Sequence, residues 1–198
     1  GTRLGWSSLW VMAWFAVAAI ALASFIFIEL RTTKPLIDLA IFRNPALSAA
    51  IVALILSHML YNPIALASPL YLQNVLGASA VAAGFLLAVL PLSTAFASPL
   101  SGRLADRFDA SAVATVGIGL IVAGIACYAC LAVDSHFALV GAVLALLGTG
   151  IGFFTPANQK VAFASVAKED YGVLAAMLSS FGTAAGTVGT TIAVALME

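Results

Sequence analysis

Residues 111–155 read SAVATVGIGLIVAGIACYACLAVDSHFALVGAVLALLGTGIGFFT. Two apolar runs, Ser111–Val133 and Phe137–Thr155, are separated only by Asp134, Ser135 and His136. A bilayer core of about 30 Å is crossed by roughly 20 apolar residues of helix. Each run has that length and neither alternates with a period of two, so the pair predicts two helices and not barrel strands. The Asp134-Ser135 link is turn chemistry, which makes them antiparallel neighbours.

Outward from this hairpin the pattern repeats in Leu9–Ile28, Ala46–Leu72, Ala80–Leu100 and Gly172–Met197. Asn44-Pro45, Gly77 and Asp109 supply start and turn signals between them. The prediction is an all-α, polytopic transmembrane bundle with six spans. Composition agrees: 63% of residues are hydrophobic, 8% are charged and mean hydropathy is +1.14, values that no water-exposed surface of this length tolerates. The lipid bilayer is therefore the expected solvent. Formal net charge is zero, which leaves no electrostatic footprint for nucleic acid.

Seven of the eight basic residues fall on one side of this arrangement: Arg31, Lys34, Arg43, Arg103, Arg107, Lys160 and Lys168, against Arg3 alone. The positive-inside rule then puts loops 29–45, 101–110 and 156–171 in the cytoplasm of a multi-pass cell-membrane protein. The first run lacks the basic flank and small-residue cleavage site of a signal peptide. The start at Gly1 and the stop at Glu198, directly after an apolar run, read as cuts through a longer chain.

Within the spans, the ionisable side chain away from the ends is His58, with Tyr61 alongside and Asn62 one turn later on the same face. About twelve residues from the entry at Ala46, His58 lies roughly 18 Å along the helix, near the bilayer centre. Polar groups at that depth line a cavity or bond neighbouring helices, and both roles are open here. Pro63, Pro69, Pro91 and Pro99 each remove a helix hydrogen bond and predict kinks whose freed carbonyls face a cavity. Gly148 with Gly152, and Gly172, Ala176 and Ser180, have the spacing of close helix contacts. The hydroxyls of Thr94, Ser98 and Ser101, and of Thr183, Thr187 and Thr190, can bond their own backbone and read as packing faces. Cys127 and Cys130 read as small packing residues, since no nearby His, Asp or Lys completes a redox or metal site. No span carries paired carboxylates, a nucleophile with a base, or metal-spaced ligands, so neither enzyme nor metal or other cofactor is expected.

The segment Gly102-Arg103-Leu104-Ala105-Asp106-Arg107 resembles the signature loop between the second and third spans of each half of major facilitator superfamily transporters. It departs at Asp109, where the family usually has Gly. Two longer stretches, 29–43 (ELRTTKPLIDLAIFR) and 69–84 (PLYLQNVLGASAVAAG), are similar to the fourteen-span drug:proton antiporter branch. So are Gly5-Trp6-Ser7 and Pro156-x-Asn158. The run Gly182, Gly186, Gly189 is similar to the superfamily's antiporter motif, with Thr187 where its Pro belongs.

The resemblance implies that residues 1–45 are a connecting span and cytoplasmic linker, and that 46–198 are a carboxyl-terminal six-helix half lacking its last span. It implies a secondary active transporter, with proton-coupled efflux of drugs or amphipathic small molecules and a substrate site shared with an absent amino-terminal half, which also holds the proton-carrying carboxylate. His58, Tyr61 and Asn62 are then substrate or proton pathway residues, and Gly102, Arg103, Asp106 and Arg107 a gate loop. In that loop Asp106 and Asp109 are expected at the amino end of the following helix, and Arg103 and Arg107 past the carboxyl end of the preceding one. Composition by itself also allows an uptake or metabolite carrier, a channel or a non-transporting membrane subunit.

Overall fold

The computed structural model describes residues 43–197 continuously, together with residues 13, 16–18, 20, 21, 23, 24 and 27. The chain divides into two compact units, Gly1–Ala40 and Ile41–Glu198. In the first, the described residues are helical. The rest of the predicted span Leu9–Ile28 lies outside the described residues, as do Arg3, Arg31 and Lys34.

The second unit is built from α1 (Pro45–Leu70), α2 (Ala80–Arg107), α3 (Ala110–Ala129), α4 (Phe137–Ala164) and α5 (Tyr171–Met197). All five are long and apolar enough to cross a membrane, and no strand occurs among the described residues. The protein is a multi-pass membrane protein. The start signals act through their side chains: Asn44 accepts from the Ala46 amide at 3.0 Å ahead of Pro45, Ser79 from Ala82 at 3.2 Å, and Asp109 from Ser111 at 3.2 Å. Each cap satisfies an otherwise orphan amide and is worth about 1 kcal/mol. Past Pro69, α1 widens into a π-helical turn, Tyr71–Val75. Leu76 N–H donates to Tyr71 and Ala78 N–H to Leu72, and Gly77, at φ +64°, supplies the left-handed residue that reverses the chain.

Two predicted loops are largely helix. Residues 101–107 form the last turns of α2, and residues 156–164 the last turns of α4 across Pro156, so the connections shrink to Phe108-Asp109 and to Ser165–Ala167 with a 3-10 turn, Lys168–Asp170. Both helices have 28 residues, about 42 Å at 1.5 Å per residue, which exceeds a bilayer core. Hydropathy marks where a helix leaves lipid, whereas its hydrogen bonds continue as long as no residue breaks them.

The central element is α4. Half of its most apolar window is buried against neighbours, compared with 11% for α2. It packs extensively on α2 and α3, while α5 packs on α1. Since lipid tails are as apolar as leucine, close backbone approach and hydrogen bonds must drive this packing. A Cβ on Gly152 would stand 2.7 Å from that of Ala97 in α2, one on Gly150 would stand 2.7 Å from Ile121 N in α3, and one on Gly148 would strike the Leu90 carbonyl. Thr94 Oγ1 donates to the Gly148 carbonyl at 2.9 Å and Ser101 Oγ to that of Phe153 at 2.6 Å, so these hydroxyls bridge helices. Buried Asn158 donates to the Ala50 carbonyl at 3.0 Å and ties α4 to α1.

Some expected contacts do not occur among the described residues. Gly172, Ala176 and Ser180 lie on the exposed face of α5, and Cys127 and Cys130 are exposed on α3 rather than packed. Spacing alone does not reveal which face of a helix a neighbour covers.

Candidate functional site

A groove of about 860 Å³ opens between α1, α4 and α5. From α1 come His58, Tyr61 and Asn62, all three of the residues that sequence reading placed at membrane depth; α4 adds Thr155 and Gln159, and α5 adds a ladder of hydroxyls, Ser179, Thr183, Thr187, Thr190 and Thr191. Leu54, Phe163 and Leu178 give it apolar walls. Among the described residues, no Lys, Arg, Asp or Glu lines it.

The polar groups of α1 are held by their own helix and by glycines opposite. His58 Nδ1 lies 2.9 Å from the Leu54 carbonyl. A carbonyl oxygen only accepts, so Nδ1 carries a hydrogen and Nε2 is the acceptor of the neutral ring. The ring is tilted 50° to Tyr61 at 5.1 Å and rests over Gly182, where a Cβ would come 3.0 Å from Nε2. Asn62 Nδ2 donates to the His58 carbonyl at 3.0 Å and packs over Gly186 in the same way. Pro63 has no N–H to offer the Met59 carbonyl. That freed carbonyl lies against Gly189 rather than in the groove. The glycine run of α5 is thus the surface that receives the polar turn of α1.

At the other functional segment, Gly102, Arg103, Asp106 and Arg107 lie on the last turns of α2 and not on a loop. Asp109 caps α3, but Asp106 does not serve that end: its carboxylate accepts from Lys160 Nζ of α4 at 2.6 Å, and the same ammonium donates to the Ala105 carbonyl at 2.7 Å. The lysine therefore meets a carboxylate and the negative carboxyl end of α2 together. Arg103 and Arg107 are exposed within the helix end, not beyond it. Arg43, Lys168 and this cluster occupy one end of the second unit, while Asp134 and His136 mark the other.

A sequence profile described as Major Facilitator Superfamily matches residues 1–190. The chain belongs to the Major Facilitator Superfamily. Among its superfamily relatives it is 31% identical over 193 residues to a tetracenomycin C resistance and export protein of Streptomyces glaucescens, covering 98% of this chain and 36% of the relative. A lincomycin resistance protein of Listeria monocytogenes is 26% identical over 194 residues, with 98% and 41% covered. A multidrug transporter protein of Bacillus subtilis is 24% identical over 199 residues, with 100% and 37% covered. The chain thus spans roughly two fifths of the length of these relatives.

Lys160 is the residue that sequence reasoning missed. It was visible only as one more basic loop residue, and the 54 positions separating it from Asp106 carry no local signal. Gln159 was hidden because the helix was expected to end before it, at Thr155, whereas it runs on to Ala164.

Proposed function

We propose that the complete protein is a secondary active transporter that exports drugs or other amphipathic small molecules against inward proton flow. This chain would furnish one wall of the substrate path, with His58, Tyr61 and Asn62 on it, and an amino-terminal half the other. The observation that carries the reading is the groove itself: polar side chains gathered at membrane depth are costly unless water or a ligand reaches them. The resistance, export and multidrug transport proteins among its relatives support drug export as the cargo class. The groove's imidazole, amides and hydroxyls serve binding, and we assign it no catalytic role.

In the same reading the basic end of the second unit is cytoplasmic, and the Asp106–Lys160 clasp, flanked by Gly102, Arg103 and Arg107, holds α2 to α4 in one of two alternating states. The test is the complete protein in proteoliposomes, assayed for substrate-dependent proton movement. His58→Gln keeps a hydrogen-bonding group but removes the imidazole, and is expected to lower the rate of transport or the affinity for substrate. An unchanged rate and affinity would reduce His58 to a structural bond between helices.

A further inference from the structure

The hydroxyl ladder of α5 has a polarity that its composition does not reveal. Thr183 Oγ1 donates to the Ser179 carbonyl at 2.9 Å, Thr187 Oγ1 to Thr183 at 3.0 Å, and Thr190 Oγ1 to Gly186 at 2.8 Å. A hydroxyl has one hydrogen and two lone pairs. Once the hydrogen is spent on its own helix, what the threonine offers the groove is lone pairs. On the α1 side the hydrogen on His58 Nδ1 goes to Leu54 and one Asn62 amide hydrogen goes to His58, which leaves Nε2 and Oδ1 as acceptors. The groove's donors then include the Tyr61 hydroxyl and the Gln159 amide, across from the threonines.

We infer that Thr183, Thr187 and Thr190 form the acceptor side of this groove, the side that recognises N–H or O–H groups of a ligand. The inference rests on the groove being a substrate wall. Against that side a ligand carboxylate or phosphate would meet lone pairs, with no Lys or Arg among the described lining residues to offset them, and a polar group left unpaired there costs more than a made bond returns. An N–H donor instead completes the threonine's second valence without disturbing the helix. The volume of about 860 Å³ falls within the range that holds drug-sized molecules.

Two rhodamine cations of equal charge separate donor recognition from charge and size. Rhodamine 6G carries two N–H groups, and tetramethylrhodamine ethyl ester carries none. Their binding to the purified complete protein is read by fluorescence anisotropy, in the parent and in Thr183→Val, Thr187→Val and Thr190→Val, which keep the β-branched shape. The expected result is tighter binding of rhodamine 6G by the parent. At least one valine variant should weaken it about three- to tenfold, the value of one hydrogen bond, while the tetramethyl dye stays within about twofold. No loss for either dye, or no binding of rhodamine 6G by the parent, overturns the inference. A misfolded variant is recognised by loss of both dyes, and Thr→Ser at the same position, which restores the acceptor, must then recover rhodamine 6G binding or the inference fails. Donor-selective binding without proton-driven transport would sink the export reading and leave this one standing.

Discussion

Lys160 and Asp106 show how little an ion pair need contribute to stability in order to matter for a moving protein. Their side chains are 45% and 73% exposed, and pairs so placed are worth about 0–1 kcal/mol. Asp106→Asn and Lys160→Gln should therefore leave membrane expression and melting nearly unchanged. If the clasp biases the alternating states, each should lower transport by the complete protein, with the double variant no worse than the worse single one. Wild-type transport by both single variants would make the segment a topological turn. The sequence made Asp106 conspicuous through its motif and His58 through its depth, because both signals are local. It could not name Lys160, whose role arises only where two helices meet. The threonines were legible as self-bonded hydroxyls, and they are so; that they also face a groove depends on where α5 rests on α1.

Helix packing turns on a few hydrogen atoms. At Gly150 an added Cβ would stand 2.7 Å from Ile121 N and 3.0 Å from Leu120 C, both backbone atoms of α3, whereas at Gly119 nothing lies within 4 Å. Gly150→Ala should thus lower stability by about 1–3 kcal/mol, as overpacking does. Gly119→Ala should be neutral or slightly stabilising, since alanine is the better helix former by about 1 kcal/mol. Thermal unfolding in detergent compares them, and equal midpoints would contradict the seam between α3 and α4. The five helices of the second unit were legible because apolar length is written along the chain, as were the caps at Asn44 and Asp109. The carboxyl ends of α2 and α4 were not. Nothing in Gly102–Arg107 or in Pro156–Ala164 tells a polar helix end from a loop until its hydrogen bonds are followed.

Across the whole molecule, orientation follows from the charges gathered at one end of the second unit. In the complete protein with Cys127 and Cys130 replaced by alanine, Lys168→Cys should be protected from an impermeant thiol reagent in intact cells, while Asp134→Cys should label. The reverse pattern would invert the topology.

The central claim is that the groove between α1, α4 and α5 is a water-filled wall of a substrate path. Small charged thiosulfonates report it directly in membranes of the complete protein, made accessible from both sides, in the same background with every remaining cysteine also replaced. Ser179→Cys and Thr187→Cys, on the groove, should react and be shielded by a transported substrate. Phe96→Cys, 81% exposed on the outer face of α2, should stay unreactive in lipid. Groove positions as inert as Phe96→Cys would contradict the account.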